Sequence, residues 1–356
     1  MGASAENQTR SRTGAGGFFR RLLASEYFVL YLTIVYILCL LPWIPRFWSM
    51  GNLADILSNS WPLLCVAVGQ TFVLIIAGID LSQTAVLALV SIVGSALICT
   101  YLEPYIFEKC LMWGWLVTEQ GGPLANSMPG LVLAIAIMLA CGALVGFING
   151  VSVAMFKMPA FMVTLVTMML FSAMALYLSG SENIMHLPDE FVILGDSFDI
   201  VSVPMGIAIV VTLLAHILLR RTYFGMQVYA VGVNPLASRI SGIPVRRIII
   251  LVFVLSGVCA AIGSILYTAR FEMGRPTLGT SMLLDVVGAN VIGGVSLAGG
   301  KGKILWTVFG VLFFVILANT LNFLNLSFYT IDLVKGAVIF GAASLDVVRT
   351  RIAQAS

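Results

Sequence analysis

Few groups in this sequence could do chemistry, and their types narrow what that chemistry can be. Asp80, Asp285, Asp332 and Lys335 are ionisable residues inside or beside long apolar runs. An uncompensated charge is costly there, so such groups are kept for pairing, for capping or for a polar pathway. Asp332 precedes Lys335 by three residues, the spacing that puts two side chains on one helical face, and these two are expected to pair. Asp80 follows Gly78 at a break between two runs. Its carboxylate either caps the next helix by accepting backbone N–H groups or lines a polar path. Asn149, Asn290, Asn319 and Asn322 are uncharged amides in apolar surroundings. Such amides either join helices to one another or hydrogen-bond a neutral, hydroxyl-rich solute in passing. Together with Asp80 and Ser82 they form the candidate translocation path.

Catalytic signatures are scarce. With only His186 and His216 present, histidine metal clusters and HExxH sites are excluded, and no metal or other cofactor is expected. Gly299-Gly300-Lys301-Gly302-Lys303 is the nearest approach to a phosphate loop. It lacks a glycine at position 295 and a Ser or Thr after Lys301, so it is expected to be a tight turn and not an ATP site. Cys39, Cys65, Cys99, Cys110, Cys141 and Cys259 show no CxxC spacing, and all but Cys110 lie in apolar runs, where thiols act as small hydrophobes.

The elements that must position these groups follow from composition. Of 356 residues, 60% are hydrophobic and 10% charged, against about 45–50% and about 25% in soluble domains. A net charge of +3 gives no field that would favour a nucleic acid. An all-α polytopic membrane protein with about ten crossings is expected, near Tyr27–Ile44, Trp61–Gly78, Thr84–Leu102, Gly130–Ala154, Ala160–Ser179, Pro204–Leu219, Ile248–Thr268, Leu284–Ser296, Ile304–Phe323 and Thr330–Val347. The eighth is too short to cross alone, and its flanking glycines require other helices or a cavity to satisfy the broken backbone.

Lys and Arg collect on the cytoplasmic side of membrane proteins. With the N-terminus inside, the inner segments hold Arg10, Arg12, Arg20, Arg21, Lys157, the five Arg between Arg220 and Arg247, Lys301, Lys303, Arg349 and Arg351, whereas Arg46, Lys109, Arg270 and Arg275 fall outside. The expected organisation is therefore a cytoplasmic basic tail over 1–26, a transmembrane domain over 27–347 with a cytoplasmic loop at 220–247, and a cytoplasmic tail over 348–356. The tail is read as preceding a retained span and not as a cleaved signal peptide. Two weak similarities indicate internal repeats. Ala77–Ser82 aligns on Gly293–Ala298, and Phe161–Leu165 on Tyr329–Leu333. Their relative orientation, parallel or inverted, is left open.

The stretch from Arg220 to Ile243 is too polar to cross and too patterned for a linker. Asn234-Pro235 can open a helix and Gly242 can close it. Such a short inner helix suits docking into a soluble partner, and it equally suits a membrane-surface helix. Phe224-Gly225, Gly232-Val233-Asn234, Ala237 and Ser241-Gly242-Ile243 resemble the coupling loop of permease subunits of bacterial ABC importers for monosaccharides of the ribose, xylose and galactoside type. The similarity extends to Gly69-Gln70-Thr71, Gly78-Ile79-Asp80-Leu81-Ser82, Lys157-Met158-Pro159-Ala160-Phe161 with Thr164-Leu165, and Val291 to Gly300, and so covers the chain from about Asn52 onward. Three departures are present: Gln83-Thr84 after the Asp80 motif, Met282-Leu283-Leu284 before Asp285, and a longer segment from Glu103 to Pro129. They bear on the cargo more than on the class.

The resemblance implies a type II ABC importer-like permease in the bacterial inner membrane. Its implied partners are cytoplasmic ATPase subunits, an external solute-binding protein and a second permease copy or paralogue. It places ATPase coupling at Gly225, Gly232, Asn234, Ala237, Arg239, Ser241, Gly242 and Ile243. Arg270 and Arg275 either dock the binding protein or anchor a span at the headgroups. An ion-coupled carrier acting alone and a permease for branched-chain amino acids remain as alternatives.

Overall fold

The computed structural model describes residues 28–40, 45–108, 110–198 and 201–354. The expected basic tail over 1–26 and the residues Arg46 and Lys109 have no described side chains, and neither do Arg349 and Arg351. Among the described residues, twelve helices longer than one turn carry the fold: α1 Phe28–Leu40, α2 Met50–Ile75, α3 Gln83–Ile98, α4 Met128–Met155, α5 Ala160–Ser179, α6 Val203–Arg221, α7 Tyr223–Val233, α8 Pro235–Ile240, α9 Val245–Phe271, α10 Leu283–Gly293, α11 Ile304–Phe323 and α12 Phe328–Gln354. A two-residue hairpin pairs Ser197–Phe198 with Val201–Ser202.

Six of these, α2, α4, α5, α6, α9 and α11, are long and apolar enough to cross a membrane, and α1, α3 and α10 contain shorter apolar helices. α12 has the length, yet Asp332, Lys335 and Asp346 interrupt its hydropathy. α2 begins well before the expected Trp61 because Ser49 caps it, accepting from the Asn52 N–H at 3.3 Å. α12 runs on to Gln354, past the expected end at Val347.

α2 and α3 are buried on nearly every side, and α9 joins them at the centre, while α4, α5 and α6 keep most of their surface outward. The tightest seam lies between α4 and α9. Gly142, Gly146 and Gly150, spaced four apart, let the backbones meet, for a β-carbon at Gly142 or Gly146 would overlap the carbonyl oxygen of Gly257 or Phe253. Without a hydrophobic force between helices in lipid, such close backbone contact is what drives association.

Contacts sort the loops into two ends. At one end Thr100 N–H donates to His186 O at 2.9 Å, Ile184 pairs with Gly274, and Asn319 donates to Asn52 Oδ1 at 2.8 Å. At the other, Gly300 N–H donates to Ile75 O at 2.8 Å, the Tyr229 hydroxyl to Gly302 O at 2.6 Å, and Thr164 Oγ1 to Ile79 O at 3.0 Å. Lys157, Arg220, Arg221, Arg239, Arg246, Arg247, Lys301 and Lys303 gather at this second end, and Arg270 and Arg275 at the first.

Candidate solute path and coupling face

α2 stops where Ala77 takes a left-handed φ of 60°, and the chain runs without helix through Leu81. Buried backbone that leaves a helix must be satisfied by protein, and Gln70 does this at Asp80. In its hydrogen-bonding orientation the Gln70 amide donates to Asp80 O at 3.2 Å and to Gln83 Oε1 at 3.1 Å, and it accepts from Asp80 N at 3.3 Å. The Asp80 carboxylate is enclosed. Oδ1 accepts from the Ser82 N–H at 3.0 Å and from Ser82 Oγ at 2.6 Å, and Oδ2 accepts from Ser256 Oγ at 2.6 Å. Asn149 donates to Ser82 Oγ at 2.7 Å and Gln83 to Ser256 Oγ at 2.8 Å. This knot ties α4 and α9 to the α2–α3 junction, and its members are at most 2% exposed. Asp80 thus joins helices as well as accepting a backbone N–H near the start of α3.

Asn290 sits in a second knot. Its Oδ1 accepts from Thr71 at 2.7 Å and from Thr307 at 3.1 Å, while its Nδ2 donates to Ala67 O at 3.1 Å and Val286 O at 2.9 Å. It links α2, α10 and α11. Asp80, Ser82, Asn149 and Asn290 therefore hold helices together, and none of them lines the cavity at Asn319 or the groove beside α8. Gln70, Thr71, Ser256 and Thr307 complete the knots. The sequence marked Gly69-Gln70-Thr71 only as a motif, and Ser256 and Thr307 carry no signal beyond a hydroxyl in an apolar run.

Asn319 and Asn322 stand apart from these knots. They line a cavity of about 240 Å³ with Asn59, Tyr267, Asp285, Phe271 and Phe314, near the end bearing Arg270. Asn319 Oδ1 is buried without a hydrogen-bond partner. Lys335 Nζ meets Asp285 Oδ1 at 2.7 Å. The expected Asp332–Lys335 pair is thus replaced by a bridge between α12 and α10. Lys335 is 8% exposed at the contact with α10, and an ammonium buried there needs its counter-charge on the helix it faces.

On the basic end, Thr222 caps α7 by accepting from Gly225 N–H at 3.3 Å, and Asn234 caps α8 by accepting from Ala237 N–H at 3.0 Å. Gly242, at φ +82°, ends the turn, with the Ile243 N–H donating to Ser238 O at 3.0 Å. Gly225 packs on the Leu219 carbonyl. Gly232 rests on the Ile75 carbonyl and beside Gly300, where a β-carbon would overlap. Asn234, Ala237, Arg239, Ser241 and Gly242 are exposed, as are the large apolar side chains of Leu236 and Ile240. α8 therefore projects from the bundle, while its root at Gly232 is seated on the end of the central helix α2.

Arg270 and Arg275 are half-buried. The Arg275 guanidinium lies over the Phe271 ring at 5.3 Å, and the Arg275 backbone N–H donates to Ser91 Oγ at 3.1 Å. Arg270 Nη1 and Arg275 Nε are buried without hydrogen-bond partners.

A family profile described as branched-chain amino acid transport system / permease component matches residues 52–343. The ribose import permease of Haemophilus influenzae is 33% identical over 332 residues, 92% of this chain and 94% of that protein. The ribose import permease of Escherichia coli K12 is 35% identical over 85% of this chain and 87% of its own length. The galactose/methyl galactoside import permease of the same strain is 30% identical over 85% and 88%. No solved structure matches the chain. The bundle of apolar helices and these similarities agree: the chain belongs to this permease family, among the monosaccharide permeases of bacterial ABC importers.

Proposed function

We propose that the chain is the pore-forming subunit of an ATP-driven importer for a monosaccharide or related polyol in the bacterial inner membrane. The observation that carries this is a helix with exposed apolar and basic side chains, rooted by Gly232 on the carbonyl end of the central helix α2. Cytoplasmic ATPase subunits grip α8 through Leu236, Arg239 and Ile240. Displacement passes through Gly232 and Ile75 to the non-helical segment at Asp80, whose knot binds α4 and α9. The basic end is cytoplasmic, following the positive-inside bias, and both termini lie on that side.

The cargo passes the wall made by Asn59, Tyr267, Asn319 and Asn322, where amides and aromatic rings suit hydroxyls and sugar faces. At about 240 Å³ this cavity is smaller than the roughly 300–1,000 Å³ of complete ligand pockets, so a second copy or paralogue supplies the opposite wall. Ten crossings and two repeats accommodate the six long helices, the short α1, α3 and α10, and the charged α12. An external binding protein delivers the sugar at the end bearing Arg270 and Arg275. Uptake by vesicles containing the chain, its ATPase and its binding protein, with radiolabelled ribose, galactose and allose in turn, tests the assignment. A family relation to branched-chain amino acid permeases gives the competing cargo, and leucine uptake in the same vesicles would favour it.

A further inference from the structure

At the basic end, the last turn of α4, the turn into α5, α8 and the start of α9 enclose a groove of about 770 Å³. Lys157, Arg239, Arg246 and Arg247 line it beside apolar Val153 and Leu236, and no acidic side chain does. All four cations are exposed, and none forms an ion pair among the described residues. Arg246 and Arg247 also occupy the first turn of the 27-residue α9, which has no capping side chain and no acidic residue there. Cations at the positive end of a helix dipole are disfavoured unless an anion accompanies them.

The level of the groove identifies the anion. α4 and α9 are membrane helices, so the end they share lies at the headgroups, where basic pockets between helices hold anionic lipids. Below it, Phe147 and Ile148 on α4 and Leu251 on α9 are exposed, giving acyl chains an apolar track. We infer that this groove seats the phosphate of an anionic phospholipid of the inner leaflet, bracing one wall of α8. The seat depends on α4 and α9 crossing the membrane, whereas its place in the inner leaflet and its effect on coupling rest on the proposed function.

Native mass spectrometry and thermal unfolding of the purified full chain in detergent test this. The probes are phosphatidylglycerol, phosphatidylethanolamine and inorganic phosphate. Phosphatidylglycerol should bind and raise the midpoint, and the other two should not. Lys157→Ala/Arg246→Ala/Arg247→Ala should weaken phosphatidylglycerol about 100-fold. Lys157→Arg/Arg246→Lys/Arg247→Lys should retain binding. Should the triple alanine variant elute as aggregate, Arg246→Ala alone, about fivefold weaker, carries the same test. Equal binding of both lipids, equal stabilisation by phosphate, or unchanged lipid binding in the alanine variants would overturn the inference. Alanine variants that keep the lipid but no longer capture the ATPase would assign the groove to the motor instead. Because no sugar or ATP is involved in the lipid measurement, its failure is separable from failure of the transport assignment.

Discussion

Ser256 shows how a single hydroxyl can decide a junction, because it donates to Asp80 Oδ2 while accepting from Gln83 inside a knot that water does not reach. Ser256→Ala removes the hydrogen bond that Asp80 Oδ2 accepts and one of those that Gln83 donates, and thermal unfolding in detergent should register a loss of about 1–3 kcal/mol. Asn319→Ala and Asn322→Ala, on the cavity wall, should instead reduce sugar uptake with a smaller change in the midpoint. A large midpoint drop in the asparagine variants would make them helix glue as well. The Lys335–Asp285 bridge makes a third case. Lys335→Met strands a partly buried carboxylate and should cost about 1–3 kcal/mol, and Lys335→Met/Asp285→Asn should recover much of it.

Between helices, the glycine seam of α4 with α9 and the seat of Gly232 on α2 allow a β-carbon no space. Gly146→Leu should cost more than about 3 kcal/mol, or prevent a folded monodisperse protein on size exclusion. Gly242 lies in open space, so a β-carbon placed there meets no neighbour and strains only the left-handed backbone, and Gly242→Trp puts its bulk on the exposed face. It should insert normally in the membrane and abolish uptake. The short helix α8, Pro235–Ile240, was legible in the sequence because its cap at Asn234 and its stop at Gly242 are local. So were the six long helices, whose apolar runs need no partner to be recognised. The true partner of Lys335 was not legible, since it lies on another helix and i,i+3 spacing pointed to Asp332. The extension of α2 back to Met50 was hidden because Asn52, Asp55 and Asn59 read as polar loop, whereas Asn52 is buried against α11 through Asn319. The separation of Asp80, Ser82, Asn149 and Asn290 from Asn319 and Asn322 also needed three-dimensional packing, as all are polar residues in apolar sequence.

Taken as one body, the bundle has a basic end with a projecting helix and an opposite end with a cavity. The proposed path from α8 through Gly232 and Ile75 to the Asp80 knot spans part of the distance between them. On the proposed function, a gate of this kind draws its energy from the ATPase. Uptake of sugar by sealed vesicles, with and without the ATPase, binding protein and ATP, tests that claim most directly. The lone chain should move no sugar under a proton or sodium gradient, and the complete set should move it only with ATP and only when Gly242 is intact. Uptake by the lone chain, or parental uptake by Gly242→Trp in the complete set, would contradict it.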